Sequence, residues 1–170
     1  MDNFISFIVI PSYPRKMQNR FHDQNKRITE FQHEVWVECP RCLERAVARV
    51  DHGERKARLR CTACHYGKEK STLTEIMGIK VNVINSADAY FGAELWFQHP
   101  FKNDTFWAYN PAHLEYLEDY ISAQLREHKE RSHFTLLEKL PKFYHEAKNR
   151  EPLLKIIKKI KIDLLKNKSR

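Results

Sequence analysis

The chain is poor in the residues that loosen or interrupt a polypeptide. Its 170 residues include only 4 Gly and 7 Pro, which excludes a collagen-like or low-complexity chain. No apolar run approaches the roughly 18 residues of a membrane-spanning helix. The apolar stretch Phe4–Ile10 (FISFIVI) is short, follows an acidic Asp2 and precedes Pro11 and Tyr13. It lacks the basic flank and small-residue cleavage site of a secretory signal, and reads instead as a buried or interface strand. Catalytic signatures are missing as well. There is no Gly-rich phosphate loop, no HExxH and no GxSxG, so the protein is not expected to be an enzyme. His65, His99 and His113 with Asp88 or Asp104 offer acid–base groups, but no spacing joins them. Each is more simply a surface or hydrogen-bonded histidine.

Bulky residues are not lacking. Hydrophobic residues make up 42% and aromatics 12%, enough for a modest core and too many for a disordered chain. The length allows one domain, or one domain with a small appended module.

Cysteine is scarce, and its placement is informative. All 4 cysteines fall in two pairs, Cys39-Pro40-Arg41-Cys42 and Cys61-Thr62-Ala63-Cys64, giving C-x2-C-x18-C-x2-C. A two-residue gap lets a tight turn aim two thiolates at one point. The long gap holds a hairpin that brings the second pair opposite the first. Four thiolates then complete a tetrahedron with Zn–S near ~2.3 Å, which predicts one Zn2+ held by Cys39, Cys42, Cys61 and Cys64. The alternatives are a redox dithiol, an iron–sulfur cluster and structural disulfides. A dithiol does not need a second matched pair, and clusters use other spacings. With no secretory signal, paired CxxC cysteines place the chain in a reducing, cytoplasmic compartment. A closed four-cysteine site leaves no position for water or substrate, so its expected role is structural. Arg41, Arg60 and Lys68 stand near the cysteines in sequence and are expected to favour the thiolates.

Between the pairs, Arg45–Val50 (RAVARV) and Arg55–Arg60 (RKARLR) alternate around the turn residues Asp51-His52-Gly53-Glu54, which predicts a hairpin. Ala46, Ala48, Val50, Ala57 and Leu59 share one face. Arg45, Arg49, Lys56, Arg58 and Arg60 share the other, a basic face suited to phosphates. The opposing reading is that exposed strands carry Arg and Lys to block edge pairing. With Val35-Trp36-Val37 leading into the first pair, the unit is a zinc ribbon.

An aromatic-rich segment follows. Ile79–Ile84 alternates as a strand does, and Glu94–Gln98 and Asp104–Tyr109 form a second pair of strands about a turn at His99–Asn103. Their aromatics suit the core of a small sheet, or base stacking. Asn110-Pro111 is a helix start, and Leu114, Leu117, Ile121 and Leu125 carry that helix to about Glu130. A short segment at Phe134–Leu140 precedes Pro141. The last helix begins near Pro152 and buries Leu153, Ile156, Ile157, Ile160 and Leu164, with Lys155, Lys158, Lys159 and Lys166 opposite.

The charge is concentrated there. Lys142–Arg170 holds 10 basic and 3 acidic residues, a net +7, against 20 basic and 19 acidic before it. Such a segment favours a polyanion.

The set Ala89-Tyr90-Phe91-Gly92, Leu95-Trp96-Phe97-Gln98, Phe106-Trp107-Ala108-Tyr109-Asn110, His113-Leu114 and Leu117-Glu118 resembles bacterial TFIIB-type zinc-ribbon-containing proteins. Leu140-Pro141 and Ala147-Lys148-Asn149-Arg150 resemble that family's C-terminal pattern, so the likeness runs from about Val35 to about Ile160. The resemblance implies a zinc ribbon and little about function. Relatives carry extra cysteines before the Trp-Ala-Tyr-Asn stretch. His99–Asn103 has none here, so no second metal site is expected.

The expectation is therefore an α+β protein. Residues 1–33 form an N-terminal arm, 34–110 a zinc ribbon continuing into a small antiparallel sheet, and 111–170 a helical region of two to three helices. Its expected partner is nucleic acid, gripped by Arg45, Arg49, Lys56, Arg58, Arg60, Lys155, Lys158 and Lys159. The other candidate partner is a protein, for which the ribbon would act as a docking surface.

Overall fold

Alternating small apolar and charged residues, then aromatics, then helical repeats, lay down an α+β architecture in chain order. The computed structural model describes residues 20–127 and 135–167. Phe4–Ile10, the rest of the arm to residue 19, and Phe134 lie outside the described residues. The elements begin with β1 (Arg20–His22), a 3-10 turn at Ile28–Phe31, β2 (Glu34–Glu38), β3 (Arg45–Asp51), β4 (Lys56–Cys61) and β5 (Gly67–Ser71). Next come β6 (Leu73–Ile76), β7 (Ile79–Asn82), β8 (Phe97–Phe101), β9 (Asp104–Ala108), α1 (Pro111–Ser122) and β10 (Leu125–Glu127). The chain closes with α2 (Leu136–Lys139), 3-10 turns at Lys142–Tyr144 and Ala147–Asn149, and α3 (Arg150–Asn167). No described helix is long and apolar enough to cross a membrane.

The ribbon is a four-stranded antiparallel sheet in the order β2-β3-β4-β5. Its inner face buries Val35, Val37, Ala46, Ala48, Val50, Ala57 and Leu59. These side chains are small because the segment that covers them, carrying Ala87, Tyr90, Phe91 and Leu95, lies close. The same segment protects the sheet edge. The Glu38 and Trp96 amides donate to the Glu94 and Trp36 carbonyls, both at 2.9 Å, and the Trp36 amide donates to the Tyr109 carbonyl at 2.7 Å. Edge groups of β2 are thus paired rather than open to another chain.

Three features of the sheets differ from the sequence expectation. β5 (GKEKS) has no apolar residue, yet it pairs with β4 through the register Arg58↔Glu69 and Lys56↔Ser71. Ile79–Asn82 is a strand, but its partner is Leu73–Ile76 across a turn at Met77 (φ 51°) and Gly78 (φ 77°). Two successive positive φ values match the right-handed twist of a tight hairpin. The aromatic hairpin starts later than expected, at Phe97, because residues 94–96 are taken by the edge of β2. It runs through Pro100 to a turn at Lys102. Pro100 is tolerated because a two-stranded sheet leaves one side of each strand unpaired.

The helices cover the aromatic sheet. Phe97, Phe101, Phe106, Leu114, Leu117, Ile121, Tyr144, Leu153 and Ile157 are buried in one cluster. Asn110 ties this layer to the ribbon. Its Oδ1 accepts from the His113 amide at 2.9 Å, capping α1, while Nδ2 donates to the Phe31 and Glu34 carbonyls at 3.0 and 2.8 Å. Asn110→Ala removes a cap and strands two partly buried carbonyls. The expected loss is about 2–3 kcal/mol of stability, read as a lower urea midpoint with unchanged slope.

Helix α1 stops at Ser122, not near Glu130 as its leucine repeat predicts. The Arg150 guanidinium donates to the carbonyls of Ile121 (3.0 Å) and Ala123 (2.9 Å), satisfying the helix end from a distant element. Leu125–Glu127 then pairs in parallel with Arg20–His22. Helix α3 is docked: Leu153, Ile156 and Ile157 are buried, and Ile160 and Leu164 are partly so.

Candidate metal centre

The two CxxC segments fold into matching loops. Cys39 follows β2, and Cys61 ends β4. In each loop the residue after the second cysteine takes a left-handed backbone, Leu43 at φ 62° and His65 at φ 58°. In each, the first cysteine's amide donates to the carbonyl five residues on, Cys39 to Glu44 (2.8 Å) and Cys61 to Tyr66 (2.9 Å). A left-handed non-glycine residue costs of order 1–2 kcal/mol, so both loops hold a strained turn that points the thiols inward.

The four sulfurs come together. Cys39 Sγ lies 3.7 Å from Cys64 Sγ, and Cys42 Sγ lies 3.6 Å from Cys61 Sγ. All four lie within 4.8 Å of one another. A tetrahedron with bonds of ~2.3 Å has sulfur–sulfur edges of about 3.8 Å, so the spacing fits a bound metal ion. The distances are far beyond the ~2.05 Å of a disulfide, and all four cysteines are free. Burial opposes ionisation of Cys39, but the Arg41 and Cys42 amides and the neighbouring thiols bring it down to about 7. The Glu44 amide favours the Cys42 thiolate, yet burial and the other three sulfurs push it up to about 12. Four thiolates this close repel one another, and a cation at their centre removes the conflict. The group can hold a metal ion, and it is the only metal-capable cluster of His, Cys, Asp or Glu among the described residues.

The basic residues of the ribbon have a different setting from the one their spacing implies. Arg45, Arg49, Lys56, Arg58 and Arg60 do share the outer face, as the register requires. But a row runs across the four strands as Glu34, Arg49, Arg58, Glu69. Arg49 pairs with Glu34 at 2.7 Å, and Arg58 with Glu54 at 2.8 Å and Glu69 at 3.0 Å. Lys56 also reaches Glu69, at 3.1 Å. These contacts hold the Glu69 carboxyl below its ordinary range and the Arg58 guanidinium above its own. Arg45 lies over the Trp36 ring, 4.2 Å from its centroid. The glutamates come from other strands and a turn, so only the register reveals them.

On α3, Lys155, Lys158, Lys159 and Lys166 are exposed, and among the described residues none forms an ion pair within 4.0 Å. Lys161 is the exception on this helix, bonded to Glu118.

His113 was expected at the surface or hydrogen-bonded, and it is buried with one ring nitrogen bonded and the other not. It is fully buried, stacked on Phe31 at 4.8 Å and edge-on to Trp107. Nδ1 accepts from the Tyr109 amide at 3.2 Å, while Nε2 has no partner among the described residues. Burial lowers its pKa to about 4. His65 is exposed beside the second cysteine pair, and His99 Nδ1 contacts the Pro100 carbonyl at 2.8 Å. No protein-family model, curated protein or solved structure matches the chain.

Proposed function

We propose that Cys39, Cys42, Cys61 and Cys64 hold one structural zinc ion, and that the protein is a zinc-ribbon protein binding nucleic acid through the lysine face of α3. The residue pattern shared with bacterial TFIIB-type zinc-ribbon-containing proteins supports the same choice of metal. Zinc bound by four thiolates has no open position, so it would fix the two loops rather than do chemistry. Free thiols of this kind suit a reducing compartment, the cytoplasm. No catalytic group is assigned.

The observation that carries the nucleic-acid reading is the contrast between the two basic surfaces. Three of the five ribbon cations, Arg49, Lys56 and Arg58, are engaged by Glu34, Glu54 and Glu69, whereas Lys155, Lys158 and Lys159 project together from α3 with no ion pair among the described residues. Phosphate binding releases counterions, so log K for a duplex falls with log salt by about 0.9 per contact. Zinc-loaded protein titrated with duplex DNA at several salt concentrations is expected to bind steeply. Replacing Lys155, Lys158 and Lys159 together by Gln should flatten the slope by about 3. Arg49→Gln and Arg58→Gln should leave it unchanged. Absence of binding at low salt, or a slope that responds to the ribbon variants instead, overturns the reading. The alternative, a protein-docking module, is favoured by the groove described next.

A further inference from the structure

A groove of about 310 Å³ opens between the outer face of the ribbon, α1 and α3. Trp36 lines it on the ribbon side, Pro111, Leu114 and Glu115 from α1, and Lys161, Leu164 and Leu165 from α3. Leu165 is 67% exposed, a large apolar side chain at the lip. Arg45 also lines the groove, its guanidinium 4.2 Å from the centroid of the Trp36 ring. Arg49 and Arg58 on the same sheet face are each tied to a glutamate. Arg45 has no carboxylate within 4.0 Å among the described residues, although Glu38 is its register partner. Stacking on the indole holds the planar fork in place and leaves its N–H edge to a ligand. Lys161, the other lining cation, is bonded to Glu118, so Arg45 is the lining cation left for recognition.

We propose that this groove docks an acidic amphipathic segment of a partner protein. An apolar side chain of that segment would seat against Trp36, Leu114 and Leu164, and a carboxylate would meet the Arg45 guanidinium. The charged side chains that line the groove are Arg45, Lys161 and Glu115, a net +1, and Lys161 is taken up by Glu118, so the cation left to meet a partner calls for a carboxylate. The pairing follows a general pattern: a helix lays apolar anchors into a groove, and a bidentate arginine–carboxylate contact fixes its register. The surface is distinct from the α3 lysine face, so this proposal does not depend on nucleic-acid binding.

The test uses the zinc-loaded full chain and two fluorescein-labelled helical peptides with the same leucine pattern, one with glutamates elsewhere and one with lysines. Anisotropy is expected to show the glutamate peptide binding at least about tenfold more tightly than the lysine peptide. Arg45→Gln and, separately, Leu165→Glu should each weaken the glutamate peptide about tenfold, with Arg45→Lys recovering only part of the loss. Zinc content and the urea midpoint report whether each variant is folded, and Leu165→Glu changes an exposed position, so at least one variant keeps its fold. Replacing Lys155, Lys158 and Lys159 by Gln should leave peptide binding within about twofold, which separates this site from the polyanion face. Equal binding of the two peptides, or indifference to both groove variants, overturns the proposal. So does self-association of the chain that Arg45→Gln abolishes while neither peptide binds, since the occupant is then a second copy.

Discussion

A Cys61→Ser protein, like the wild type stripped of metal by a chelator, is expected to lose the ribbon while keeping the helical layer. The asymmetry follows from what each half has to hold it. The inner face of the ribbon buries three alanines, three valines and one leucine between β2, β3 and β4. Alanine contributes little apolar area, and β5 contributes none of its own, with every residue exposed. At about 25 cal/mol per Å², so small a face does not offset the cost of ordering four strands and two strained loops. Structural zinc supplies roughly 10–16 kcal/mol of apparent binding energy in small modules, and here that would decide whether the loops close. Serine cannot replace the thiolate, because its hydroxyl stays protonated and is a poor ligand for zinc.

The helical layer has an independent source of stability. Phe97, Phe106, Tyr120, Tyr144, Leu114, Leu117, Leu153 and Ile157 are almost wholly buried in one cluster. Amide exchange should therefore show β3 and β4 losing protection in Cys61→Ser while α1 and α3 retain most of theirs. Emission spectrometry should find one zinc per chain in the wild type. A Cys61→Ser protein that holds no metal and keeps the β3–β4 amides protected would sink the structural-zinc reading.

How much of this was legible depends on the range of the interactions that decide each feature. The cysteine spacing is local information. The C-x2-C loops and the β3–β4 hairpin follow from neighbours in sequence, and the structure brings the four sulfurs together. The buried stripe of α3 is local too, since Leu153, Ile156 and Ile157 repeat at helical spacing. Several failures involve a partner far along the chain, while the β6–β7 hairpin, joined by Met77 and Gly78, is a local pairing that the alternation of Ile79–Ile84 alone does not reveal. The end of α1 is set by Arg150, some 29 residues away, whose side chain takes carbonyls that no periodicity marks. The chemistry of the ribbon face is set by cross-strand register. Arg49 and Arg58 sit side by side, a repulsive pair that Glu34 and Glu69 flank on either side. Alternation places the arginines on one face but is silent about which glutamates join them. β5 has no hydrophobic signal at all. It exists because β4 offers a hydrogen-bonding edge and Glu69 meets Lys56 and Arg58.

His113 is the other residue whose setting was hidden, and it predicts a pH dependence in the half of the protein away from the four cysteines. Lowering the pH from 7 towards 4 is expected to destabilise the helical layer by about 3 kcal/mol through this residue alone. The tautomer follows from geometry. The Tyr109 N–H can only donate, so Nδ1 is the acceptor and the ring proton lies on Nε2, packed among Phe31, Trp107 and Tyr109 with no hydrogen-bond partner among the described residues. A second proton would have to go onto Nδ1, break the Tyr109 contact and place a charge in an aromatic cage. That is why burial depresses the pKa to about 4. In the unfolded chain the same imidazole titrates near ~6.5.

Between those two values the unfolded state binds a proton that the folded state refuses. Stability is therefore complete above about pH 6.5 and falls as the pH drops, by up to 1.4 kcal/mol per unit as an order-of-magnitude slope, levelling off below about pH 4. His113→Asn keeps an acceptor near Nδ1 and has no titrating group. It is expected to be less stable at pH 7 because of lost packing, and to lose the step between pH 6.5 and 5. Urea melts followed through α1 and α3 amide exchange separate this from zinc release at acid pH, which is read in β3 and β4. If the wild type and His113→Asn weaken in parallel across that window, another group carries the proton and the buried ring is only a packing element.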